Sequence, residues 1–168
     1  MMISLILGYI GFFIAVTMER GENWVAYSHI FFLLESQLII YAFMSFVRKV
    51  KTEKLGFVPI MLILSMSLIF INLVIQNNSF ALELLLLIRV LQCAFISALG
   101  FILYKSQPIV LTGAILLGLS NFIAGVSYFY MPIPFEYTLT TVCFYLSKIL
   151  LVKGYLELSK QKVTGYVT

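Results

Sequence analysis

Long apolar runs separated by short polar breaks set the pattern of this chain. Residues 60–75 and 109–126 contain no charged side chain at all. A transmembrane barrel strand would alternate apolar and polar residues with a period of two. These runs do not alternate, so the pattern predicts helices. Six segments approach the roughly 17–25 residues that a membrane-crossing helix needs. They cover 3–18, 24–47, 57–76, 80–104, 108–130 and 134–152, and together they make residues 1–168 a single transmembrane helical domain. The breaks carry suitable punctuation. Glu19-Arg20-Gly21-Glu22-Asn23 is charged, Gln76-Asn77-Asn78-Ser79 is polar, and Met131-Pro132-Ile133-Pro134 cannot continue a helix. Pro108 suits the first turn of the fifth segment, where its missing N–H costs nothing.

Composition explains why lipid has to be the solvent. The chain is 62% hydrophobic and only 11% charged, against about 25% charged residues in an ordinary soluble domain. A water-soluble globule built from it could not cover its own surface. In hydrocarbon the backbone must satisfy its hydrogen bonds internally, which again selects helices. The first segment lacks the basic n-region and small-residue cleavage pattern of a signal peptide, so it reads as a retained helix.

Charge then orients the bundle. With six crossings, one side collects Arg48, Lys49, Lys51, Lys54, Lys105, Lys153, Lys160 and Lys162, and the other collects only Arg20. That asymmetry predicts a cytoplasmic location for both termini, in the cell membrane. The net charge of +4 therefore reflects topology, and no basic stripe for nucleic acid is formed. Cys93 and Cys143 fall inside apolar segments and fit neither a zinc pattern nor a disulfide framework. No metal or cofactor motif is present.

Ionisable groups at membrane depth cost roughly 2.5–3.5 kcal/mol on insertion scales, so each needs a partner or a role. Glu35 and Arg89 enter from the same side at similar depth, and the expectation is that they approach each other. Such a pair could hold two helices in register or form a headgroup site. In the fifth segment Ala114, Gly118, Asn121 and Gly125 share a stripe suited to close helix approach, with the Asn121 amide pointing inward. In the sixth, Tyr137, Thr141, Tyr145 and Lys148 share another. Lys148 is expected to snorkel toward the headgroups or to face a site inside the bundle. His29 has no companions that would complete a metal site.

One run of the sequence resembles a known family. Gly113-Ala114, Ser120-Asn121, Phe129-Tyr130-Met131-Pro132-Ile133-Pro134, then Tyr145 and Lys148, follow the spacing of the last helices of the YhhN/lysoplasmalogenase family. Leu7-Gly8-Tyr9 and Phe32-Leu33-Leu34-Glu35-Ser36 extend the similarity toward the N-terminus. The resemblance implies a polytopic bundle acting on the vinyl-ether bond of lysoplasmalogens through aspartate acid/base chemistry. This chain contains no aspartate. Tyr9 and Asn121 stand at the two matched aspartate positions, and Ser36 at a histidine position. An amide exchanges no protons near neutral pH, and a tyrosine with pKa near 10 is a poor base.

The reading that follows is an all-α polytopic bundle of the YhhN type that has lost hydrolysis. It would act as a lipid-binding protein or as a subunit with other membrane proteins. Two alternatives stand beside it. One is a lysoplasmalogenase-like hydrolase with Glu35 as the candidate catalytic group. The other is a small transporter or channel. The candidate ligand-binding residues are Glu35, Arg89, Asn121, Tyr145 and Lys148.

Overall fold

The computed structural model describes residues 1–17, 22–47, 80–129 and 131–163. The expected crossing at 57–76 lies outside the described residues. Among the described residues all regular structure is helical: α1 Met2–Thr17, α2 Glu22–Val47, α3 Phe80–Ile102, α4 Pro108–Phe129 and α5 Glu136–Val163. The last four are long and apolar enough to cross a membrane. The chain is a multi-pass helical membrane protein.

Side-chain placement is inverted relative to a soluble domain. Ile3, Phe13, Tyr41, Phe95, Ile115, Phe122 and Ile149 face outward, whereas Ser28, Glu35, Ser36, Arg89, Ser120, Ser147 and Lys148 are buried. Large apolar side chains lose nothing by facing hydrocarbon. Polar groups gain by finding one another inside, because lipid offers them no hydrogen bonds.

Contacts along the helices fix their directions. On α2 and α5, Phe32 meets Phe144, Glu35 meets Lys148 and Phe43 meets Tyr155, so residue numbers rise together and the two helices run parallel. Helix α3 is also parallel to α2, with Arg89 at Ser36 and Gln92 at Gln37. Helix α1 opposes α2, since Gly8 lies against Glu35 and Gly11 against Phe31 and Phe32. Helix α4 opposes α3 and α5, with Asn121 at Arg89 and Ser120 at Thr140. Helix α2 thus touches α1, α3 and α5, and it organises the interior.

Boundaries of the fourth and sixth expected segments shift. Helix α3 ends at Ile102, and a turn at Leu103–Ser106 replaces its expected last residues. The sixth expected segment, 134–152, starts later and ends much later, as α5 Glu136–Val163. Its start is set by the turn, where the Ser127 hydroxyl donates to Glu136 Oε2 at 3.1 Å and accepts from the Ile133 N–H at 3.4 Å. Its extension is held by packing: Leu158 is buried, and Tyr155 meets the rings of Phe43 and Phe46 edge-on. Gly154 does not stop the helix, because a Cβ there would run into Val110 of α4. The chain uses glycine at this point for close approach.

The small-residue stripe on α4 is only partly used as expected. Ala114 packs against Gly100 of α3, and Asn121 points inward, but nothing among the described residues lies within 4 Å of a Cβ built at Gly118. The tighter contact is at Gly113, where a Cβ would stand 3.0 Å from Leu151 Cγ and 3.1 Å from its backbone nitrogen. Backbone cannot yield as a flexible side chain can. Gly113→Leu is therefore expected to lower stability by about 1–3 kcal/mol, the usual range for overpacking. Gly118→Ala should leave it nearly unchanged. Thermal unfolding of the two variants in detergent, compared side by side, checks the contrast.

Candidate ligand site in the bundle interior

Glu35 sits midway along α2 with its side chain fully buried. At roughly 1.5 Å per residue it lies about 20 Å from Glu22, and Lys148 lies about 18 Å from Glu136. Because α2 and α5 are parallel, these nearly equal distances bring the two to one level. The Lys148 ammonium stands 2.5 Å from Glu35 Oε1. Of the two courses expected for its aliphatic stem, out to the headgroups or into the bundle, the stem takes the inward one, and Lys148 is only 6% exposed. Its ammonium also lies 4.6 Å from the centre of the Phe144 ring, whose face attracts a cation.

The expected approach of Glu35 to Arg89 is replaced by this pairing. Arg89 instead uses neutral acceptors. It donates to the Phe32 carbonyl at 2.7 Å, to the Ser36 hydroxyl, and through Nε and a terminal nitrogen to Asn121 Oδ1, each at 3.2 Å. Phe32 also presents its ring 5.3 Å from the guanidinium carbon. Equal depth was a sound criterion, but depth says nothing about direction around a helix. Successive residues on a helix point about 100° apart, so Ser36 faces α3 while Glu35 faces α5 and α1.

Asn121 completes the Arg89 side. Its amide nitrogen donates to the Leu117 carbonyl at 2.7 Å and to Cys93 Sγ at 3.5 Å, which leaves its oxygen turned toward the guanidinium. The two sequence-adjacent residues Glu35 and Ser36 thus join two polar subclusters. One contains Glu35 and Lys148, and the other contains Ser36, Arg89 and Asn121.

Tyr145 belongs to neither subcluster directly. Its ring lies 5.7 Å from that of Tyr9 and 5.5 Å from that of Phe12. Together with Lys148 it lines a groove of about 370 Å³ between α1 and α5. Leu5, Tyr9, Ile149, Val152, Lys153 and Leu156 complete the lining. Of these Tyr9 and Lys153 drew attention in the sequence, Lys153 as a marker of topology. The groove residues on α5 were legible as a continuation of the Tyr145–Lys148 stripe at i+4 and i+8, namely Val152 and Leu156. His29 meets Phe32 edge-on, and no cluster of three metal-ligating side chains forms among the described residues.

Gly8 is the residue that sequence reasoning undervalued most. A Cβ there would overlap the Glu35 carboxylate, so with any larger residue at this position the carboxylate would have to shift from where it meets Lys148. Apart from Lys148, neither carboxylate oxygen has a hydrogen-bond partner among the described residues. The chemistry of this interior is accordingly electrostatic. Among the described residues it contains one carboxylate and two cations, with amide and hydroxyl groups around them.

Removing one partner of a buried pair leaves an uncompensated charge and typically costs about 3–5 kcal/mol. Glu35→Gln and Lys148→Met should each destabilise the chain on that scale, whereas the double variant should recover most of the loss. A thermal-shift double-mutant cycle in one detergent measures the coupling; additive losses would show that the two side chains do not interact. Compared with known protein families, characterised proteins and solved structures, the chain gives no match.

Proposed function

We propose that this chain is a six-span, lipid-binding protein of the cell membrane, related to the YhhN bundle and without its hydrolytic chemistry. The observation that carries this reading is the Glu35–Lys148 pair. Glu35, the buried carboxylate among the described residues, is held by an ammonium, beside a groove of apolar, tyrosine and lysine side chains between α1 and α5. Such a groove accepts an amphiphile from the side. Asn121, at one matched aspartate position, is fully engaged in orienting Arg89. Tyr9, at the other, stacks near Tyr145 along the groove wall.

Helix directions support six crossings. Because α2 and α3 are parallel, Val47 and Phe80 lie toward opposite ends of the bundle, and residues 48–79 have to connect them. The apolar run 57–76 is the length for that task. With six crossings the basic residues gather on one side, which places both termini in the cytoplasm. A role as a subunit beside other membrane proteins is compatible with the same bundle.

Purified full-length protein is expected to release no aldehyde from lysoplasmalogen above a protein-free blank, while retaining phospholipid through purification. Aldehyde release that disappears in Glu35→Gln would replace this reading with the hydrolase. For topology, Lys51→Cys in a Cys93→Ala/Cys143→Ala background should react with a membrane-impermeant maleimide only after the cells are opened. Labelling of intact cells would invert the assignment.

A further inference from the structure

Among the described residues the interior holds two cations, Arg89 and Lys148, and one carboxylate, Glu35, and the acceptors around Arg89 are neutral. A surplus cation in a low-dielectric interior is costly unless an anion compensates it. Arg89 is closed off by its own hydrogen bonds. Lys148 is not: its ammonium meets Glu35 but makes no other hydrogen bond among the described residues, it is more than nine-tenths buried, and it borders the groove between α1 and α5. An ammonium has three donors, and here at least two remain to be used.

The same groove contains a second cation and no acid. Lys153 lies about 7.5 Å farther along α5 than Lys148, at roughly 1.5 Å per residue. Lys153 follows directly on the apolar residues 149–152 of α5, toward the C-terminal end of the candidate span Glu136–Gln161. Tyr9 and Tyr145 add two phenol groups to the wall, and Leu5, Ile149, Val152 and Leu156 supply apolar surface. Ile149 and Leu156 are exposed, so the apolar side of the groove is continuous with the lipid-facing surface. A volume near 370 Å³ is at the small end for ligand pockets, which run from about 300 to 1,000 Å³. It suits a headgroup and the start of a chain whose remainder stays in the bilayer.

We propose that this groove is a selective site for the headgroup of an anionic phospholipid, with Lys148 and Lys153 as its two cationic contacts. The proposal rests on the lipid-binding reading and adds the charge class of the lipid. A zwitterionic phospholipid brings its own ammonium, which the two lysines repel. A lipid of net negative charge brings none, and its phosphate can take donors from both lysines.

The test is native mass spectrometry of the full chain, released from neutral detergent after incubation with equimolar phosphatidylglycerol and phosphatidylcholine. Wild type is expected to retain phosphatidylglycerol several-fold over phosphatidylcholine. Lys153→Gln should bring the ratio toward one, and so should Glu35→Gln/Lys148→Met, which removes the interior lysine without stranding Glu35. Retention of both lipids in equal amounts by wild type would overturn the charge selectivity and leave the lipid-binding reading standing. Retention of neither would overturn both. Displacement of phosphatidylglycerol by millimolar glycerol 3-phosphate would show that the site takes a soluble phosphoester, and would overturn the assignment to a membrane lipid.

Discussion

One ion pair at the centre of a hydrocarbon-embedded bundle constrains nearly everything around it. Glu35 and Lys148 each carry a desolvation penalty that is several kcal/mol even after relaxation, and attraction at 2.5 Å is what offsets it. Holding that distance requires α2 and α5 to run parallel at matched depth. It also requires α1 to close over the carboxylate without a side chain at Gly8. Shape and charge are therefore set at the same three positions. Arg89 is the second constraint, and it is met differently. Its guanidinium distributes one charge over a carbonyl, a hydroxyl and an amide, tying α3 to α2 and α4 without a counter-ion.

Aromatic rings build the walls of this interior. Phe12, Phe32, Phe144 and Tyr145 meet in a connected set with centroids 5.5–5.8 Å apart. Two of them, Phe32 and Phe144, also face Arg89 and Lys148. An aromatic face stabilises a cation where water is excluded, so the rings do more than fill volume. Each cation thus has an aromatic face beside it as well as its own acceptors.

Much of this was readable from the chain and some was not, for reasons particular residues make plain. The helical class and the start of α4 at Pro108 follow from run length and proline chemistry. Inward placement of Asn121 and Glu35 followed from the cost of leaving either in lipid. The partner of Glu35 did not follow, because depth along a helix can be counted while azimuth depends on packing. Arg89 and Lys148 were both within reach, and one residue's rotation between Glu35 and Ser36 decided between them. The continuation of α5 past Gly154 was open in the sequence, where residues 154–168 could extend the last helix, but the sequence did not decide it. A glycine can end a helix or admit a neighbour, and only the proximity of Val110 distinguishes the two.

Helix length has a mechanical consequence. The 28 residues of α5 extend about 42 Å, well beyond a hydrocarbon core of about 30 Å, and Tyr155 anchors its far portion against Phe43 and Phe46. The 16 residues of α1 extend only about 24 Å. As α1 and α5 supply the two rims of the groove, the opening is flanked by helices of very unequal length, which one hydrocarbon thickness cannot match equally.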